Sequence, residues 1–172
     1  MVSGSFKRGT CTKPRRLPGM EQLSVQLVCI DPKHVREIWS SVAPFLKQAI
    51  AKTGLAEFAT IERALLDGTS LLWTAWNGSA IEAVASTSLQ QTDAGKVCVI
   101  TACAGSCMTR WVSLIRGIES YAQAEGCYCV RIFGRKGWGR VLDGYEQTHA
   151  IIDKRLQQRR DARPNVVTAR QS

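Results

Sequence analysis

The feature that most constrains this chain is an apolar strand, a long amphipathic helix and a second apolar strand, read in that order within residues 96–156. Val97–Cys103 is almost wholly apolar, as a strand covered on both faces must be. Trp111, Leu114, Ile115, Ile118, Tyr121 and Ala122 then recur at helical spacing, with Arg116, Glu119 and Gln123 on the other side. Gly126 falls where a left-handed residue would cap that helix. Cys127–Phe133 reads as the returning strand. A strand, a helix and a parallel neighbour make a crossover unit, expected to be right-handed.

The upstream sequence predicts the rest of a sheet. Leu23–Ile30 reads as a first strand, closed by Asp31-Pro32, an N-cap followed by a first helical residue. Val35, Ile38, Trp39, Val42, Phe45, Leu46 and Ile50 define an apolar helix face up to Gly54, with Pro44 expected to kink or split the helix. A second helix is expected over 56–66. Ser70–Trp76 and Ala80–Leu89 flank Asn77-Gly78, a strong hairpin signal. Gln90–Gly95 is a second turn leading into the 97–103 strand. Beyond Phe133 the pattern predicts a short helix over 138–143, closed by Gly144, and a last strand over 148–153.

Charge and cysteine usage narrow the functional classes. The net charge is +9, but residues 1–20 carry +5 and residues 154–172 another +5, leaving the body near neutral. Three parts follow: a basic leader (1–20, ahead of Met20), a folded domain (21–156) and a basic tail (157–172). Both end segments are expected to be disordered. Such ends hold nucleic acid only weakly and without sequence preference, through counterion release that added salt abolishes. The leader has no apolar stretch of a secretory signal, and no run approaches the roughly 20 apolar residues of a membrane span. Seven cysteines without such a signal predict reduced thiols in a cytoplasmic setting. The spacings of Cys103, Cys107, Cys127 and Cys129 do not form a zinc knuckle, so no metal site is expected.

The order of elements resembles the GNAT superfamily of acetyl-CoA-dependent N-acetyltransferases over residues 22–156. Tyr121-Ala122 with Gly126 is similar to the end of that family's long helix, and Asp143-Gly144-Tyr145 to its step into the last strand. The resemblance implies an α/β (α+β) fold, a mixed, mostly antiparallel sheet with helices on both faces around the central crossover. It implies transfer of an acetyl group from acetyl-CoA to a small or protein amine. The words around Trp73-x-Ala75 and 134–138 are similar to small GNAT-like proteins of phages and prophages. That likeness implies the alternative, a catalytically inactive binding or structural module of a virion, with phage structural proteins as partners.

The same resemblance implies the site residues. The family pairs pantetheine with the backbone at the end of its central strand, here Thr101, Ala102 and Cys103; the alternative is a buried strand end. Its pyrophosphate turn, rich in glycine so that amides can close on the anion, corresponds to residues 104–111. There Thr109 and Trp111 stand in place of the glycines, a departure that bears on acetyl-CoA binding. Ser106, Thr109 and Arg110 are candidate phosphate contacts, with helix capping as the alternative for the two hydroxyls. Arg135 and Trp138, in a basic cluster with Arg131, Lys136 and Arg140, face either the adenosine phosphates or a nucleic-acid strand, unless Trp138 packs inward. Glu82, the one carboxylate inside a predicted strand, is the nominal general base, its plain alternative being a solvent-facing residue. Tyr145 is expected in the core.

Overall fold

The computed structural model describes residues 24–134, 136–149 and 152–154. The predicted leader and the whole predicted tail therefore lie outside the described residues. Five strands form one sheet in the order β1-β2-β3-β4-β5. They are β1 (Gln26–Ile30), β2 (Leu71–Trp76), β3 (Ile81–Thr92), β4 (Gly95–Gly105) and β5 (Cys129–Ile132). Neighbours are antiparallel except β4 and β5, which run parallel. The helices are α1 (Trp39–Thr53), α2 (Phe58–Leu66), α3 (Met108–Trp111) and α4 (Ile115–Ala124).

Local chemistry explains the boundaries. Asp31 accepts the backbone N–H of Lys33 at 2.9 Å and starts a 3-10 turn over Pro32–His34. The split predicted at Pro44 does not occur: the interruption lies ahead of α1, which runs on through Pro44 from Trp39 to Thr53. Gly54 ends α1 in the left-handed region (φ 65°), its N–H returning to Ile50. At the end of α4, Cys127 N–H bonds to Ala122 and Gly126 N–H to Gln123, a Schellman closure that requires the positive φ of Gly126 (72°).

The sheet divides two cores. On one face Val42, Leu46, Ala49 and Ile50 of α1 and Ile61 and Leu65 of α2 pack with Leu72, Val84, Ala102 and Ala104. On the other, Ile118 and Ala122 of α4 pack with Trp73, Ala85, Cys98 and Ile100. Strict alternation along β4 would put residue 102 with 98 and 100. The β3–β4 register instead slips between Ser86/Ala102 and Thr87/Ile100, so Thr101 is the extra residue of a bulge. Past it, Cys103 joins the α4 side and Ala102 the α1 side. The Thr101 hydroxyl is bonded to that of Ser86 at 2.6 Å, which fastens the bulge to β3.

Three further expectations need correction. The helix predicted as continuous from about 111 is broken, with a 3-10 turn over Val112–Leu114 between α3 and α4. The helix expected over 138–143 is a 3-10 turn over Lys136–Arg140, whose tripled glycine-rich text (Gly134, Gly137, Gly139) favours no α-helix. The last strand does not form at Thr148, His149, Ile152 or Asp153, while Ala150 and Ile151 lie outside the described residues. The pattern there was a short apolar run, and nothing within it specifies pairing.

Gly105 pairs with Ala83, and the β3 backbone leaves no room there for a side chain. A Cβ added there would lie 2.5 Å from Ala83 Cβ and 2.7 Å from the Glu82 carbonyl oxygen. Gly105→Ala is accordingly expected to lower the unfolding free energy by about 1–3 kcal/mol, because backbone must move to admit a methyl group. An unchanged urea midpoint would show that the two strands separate freely.

The buried thiols give a pH dependence. Burial pushes the ionisation of Cys98 up to about 11, with Cys127 and Cys129 adding to it, and burial pushes Cys103 up to about 12. Folding therefore favours the protonated thiols. Their contribution is fully present below about pH 9 and is lost as pH rises through 11 to 12. The urea midpoint should fall between pH 9 and 11, and fall less in Cys98→Ala/Cys103→Ala. An equal decline in the double variant would assign the effect to other groups.

Candidate active site

β5 pairs with β4 only from Val97/Cys129 to Ile100/Ile132, whereas β4 continues to Gly105. Past Ile100 the two strands part. The resulting cleft is lined by Thr101, Ala102 and Cys103 on β4 and by Ile132, Phe133 and Gly134 at the end of β5. Ala49 and Thr53 of α1 and Trp138 complete its walls. Strand conformation at Thr101–Cys103 leaves backbone donors and acceptors on that edge without β5 to meet them.

The turn from β4 into α3 is held by side chains. Trp111 is 7% exposed, and its indole N–H donates to the Ser106 carbonyl at 2.7 Å. Its ring packs with Ala75 and Ala83 beneath the turn and lies 6.4 Å, centroid to centroid, from that of Trp138. The large residue at the family's glycine position is thus directed into the core. Cys107 adopts a left-handed conformation (φ 46°) immediately before α3. An L-residue there costs roughly 1–2 kcal/mol. Neither Ser106 nor Thr109 occupies the N-cap, which is Cys107; Ser106 is exposed on the turn and Thr109 is exposed within α3.

Glu82 lies at the start of β3 and is 9% exposed. Its Oε1 accepts from Arg110 Nη2 at 2.8 Å and from Asn77 Nδ2 at 2.7 Å. The Asn77 amide is oriented by its own turn, since its Oδ1 accepts from Ser79 N, Ser79 Oγ and Ala80 N. The amide nitrogen must then face the carboxylate. The Glu82 carbonyl also accepts the Ser106 N–H at 3.0 Å, which ties the start of β3 to the turn. Glu82 Oε2 is buried with no hydrogen-bond partner.

The structure thus brings Glu82 and Arg110 together and sets Thr101, Ala102, Cys103 and Trp138 around one cleft. Trp138 is half-buried against Trp111, and a Cβ on Gly134 would meet its ring at 2.6 Å, so it takes the inward position. Arg135 lies outside the described residues; Arg131 is half-buried in β5 and Arg140 is exposed. Tyr145 is half-buried with its hydroxyl oxygen shielded from solvent, and burial raises its ionisation. Sequence reasoning missed Asn77 as a carboxylate ligand, because the same residue was fully accounted for by the hairpin. It also missed the indole N–H of Trp111, for which nothing local signals a partner. Among the described residues no group of three or more His, Cys, Asp or Glu could hold a metal, and no helix is long and apolar enough to cross a membrane.

No family model matches the chain, and no curated protein matches its sequence. Solved structures do. A predicted acetyltransferase of Clostridium acetobutylicum with acetyl-CoA matches at TM-score 0.53 and 14% identity, over 76% of this chain and 96% of that one. A GNAT family acetyltransferase of Staphylococcus aureus matches at 0.52 and 10%, over 77% and 99%. An aminoglycoside acetyltransferase from an uncultured soil metagenomic sample, in complex with sisomicin, matches at 0.57 and 10%, over 77% and 97%. The class is therefore defined: this is a mixed α/β chain with the GNAT fold.

Proposed function

We propose that the chain is an N-acyltransferase that takes an acetyl group from acetyl-CoA and passes it to an amine. The observation that carries this reading is the parting of β4 and β5, which exposes the backbone of Thr101–Cys103 beside a cleft. The pantetheine arm carries amides, and an unpaired strand edge is what extended amides pair with. The residues present fit the co-substrate, because Trp111 is turned under the turn and so its bulk leaves the outer side open. Bound there, acetyl-CoA would supply an activated acyl carbon for attack by an amine.

Arg110, Ser106 and Thr109 are the groups for the phosphates. The ion pair with Glu82 engages Arg110 through Nη2, and a guanidinium offers five N–H donors in a planar fork, so the remainder can turn to an anion. Glu82 is then a positioning residue that fixes Arg110 at the turn, and a proton lost from the amine goes to solvent. This assignment follows from Oε1 being taken by two donors and Oε2 being shielded. An amine acceptor is consistent with an aminoglycoside acetyltransferase sharing the fold.

The test is a thermal-shift titration of the full chain with CoA and acetyl-CoA. A ligand bound by the folded state alone raises the midpoint in step with RT ln(1 + [L]/Kd). A saturable rise is expected with both. A flat response at millimolar ligand would remove the acyltransferase reading and leave a binding module.

A further inference from the structure

The cleft past Ile100 holds two hydroxyl groups whose protons are both turned away from it. Thr53, in the last turn of α1, lines it from the helix side. Its Oγ1 donates to the carbonyls of Ala49 and Ile50, each at 3.3 Å. Thr101, the extra residue of the bulge, lines it from the sheet side. Its Oγ1 donates to the Ser86 carbonyl at 3.3 Å and lies 2.6 Å from Ser86 Oγ. Ser86 is fully buried, so whichever of the two hydroxyls donates to the other, the Thr101 proton points to Ser86 and not to the cleft.

A hydroxyl has one proton and two lone pairs. With both protons turned inward, Thr53 and Thr101 offer the cleft only lone pairs, which accept from N–H groups and repel a carboxylate. Among the described lining residues none carries a charged side chain. A cation would be buried there without a counter-charge, which favours a neutral amine. The enclosed space is about 20 Å³, close to what one water-sized group needs, so a nitrogen placed in it touches both walls. We infer that Thr53 and Thr101 bind the acceptor nitrogen, and that the acceptor is a primary amine. This deepens the acyltransferase reading and rests on it. A neutral primary amine has two N–H groups and one lone pair. Each N–H bonds to one threonine oxygen, and the lone pair is left to attack the acetyl carbonyl carbon. The carbon–sulfur bond breaks, CoA leaves as the thiol, and the nitrogen gives up one proton and keeps the other as the amide N–H. The thioester and the carbon skeleton of the acceptor stay outside the enclosed space, in the open part of the split. A secondary amine has a single N–H and leaves one threonine oxygen without its partner.

The probes are the smallest amines, methylamine and dimethylamine, given to the full chain with acetyl-CoA. Amide formation is followed by mass spectrometry and CoA binding by calorimetry. Methylamine should react with a kcat/KM about tenfold or more above that of dimethylamine. In Thr53→Val, which keeps the shape of the side chain, that ratio should fall towards one while the CoA dissociation constant stays the same. Thr53→Ser keeps the oxygen and should restore the ratio. Thr101→Val should act as Thr53→Val does. If loss of the Ser86 contact prevents its folding, which far-UV circular dichroism identifies, the two Thr53 variants decide alone. CoA binding without acetylation of methylamine would overturn the inference and leave the thioester site standing. So would equal rates for the two amines, or a ratio that persists in Thr53→Val. Absence of CoA binding would overturn the inference and the acyltransferase reading together, and calorimetry tells the two failures apart.

Discussion

Trp73→Ala is expected to cost about 3–5 kcal/mol of unfolding free energy, the range for truncating a buried large aromatic. Trp73 is 6% exposed in β2 and packs with Ala85, Cys98, Ile100, Ile118 and Ala122. Tyr121 of α4 meets its ring edge-on at 5.4 Å, so the indole joins sheet to helix. Its N–H donates to Thr87 Oγ1 at 2.9 Å, and Thr87 is 1% exposed. Truncation therefore opens a cavity and also leaves a buried hydroxyl without that donor. Trp73→Phe separates the two contributions, keeping most of the ring and losing the hydrogen bond at about 1–2 kcal/mol. Urea unfolding of the three proteins would measure both. A loss below 1 kcal/mol in Trp73→Ala would mean that α4 is not fastened to the sheet through this residue.

Arg110→Ala should act on stability and on ligand binding together. Breaking a fully buried ion pair costs about 3–5 kcal/mol, because a charge is left without compensation. Here the Arg110 side chain is 37% exposed and Glu82 keeps Asn77, so water and one donor remain and about 1–3 kcal/mol is expected. Loss of charge-assisted contacts to phosphate should weaken CoA binding by about 10- to 100-fold. Adding Glu82→Gln removes the stranded charge. The double variant should regain most of the stability and none of the affinity. CoA binding unchanged in Arg110→Ala would show that the phosphates are held elsewhere, and the pair would then be structural alone.

Much of the architecture was legible from local pattern. Periodicity identified α1, α2 and every strand of the sheet, and turn chemistry at Asp31-Pro32, Asn77-Gly78 and Gly126 placed their ends. These signals are local, since a cap or a tight turn is decided by residues within a few positions of one another. The candidate site was legible only as a stretch of β4 and its following turn. Glu82 and Arg110 stand 28 positions apart in the chain and meet because β3 pairs with β4 past the bulge as far as Ala83 and Gly105.

What the sequence by itself determined is the five strands, α1 and α2, their order and the crossover that makes β4 and β5 parallel. What tertiary structure alone decided is the Thr101 bulge, the break between α3 and α4, and the inward turn of Trp111. A nearly all-apolar strand such as 97–103 carries no alternation from which a one-residue slip could be read, because both of its faces meet a core. Likewise an apolar stripe at helical spacing does not say whether the helix is continuous; packing of Trp111 beneath the turn and of Ile118 on the sheet decides that. The cleft follows from these choices, where β5 stops and β4 does not.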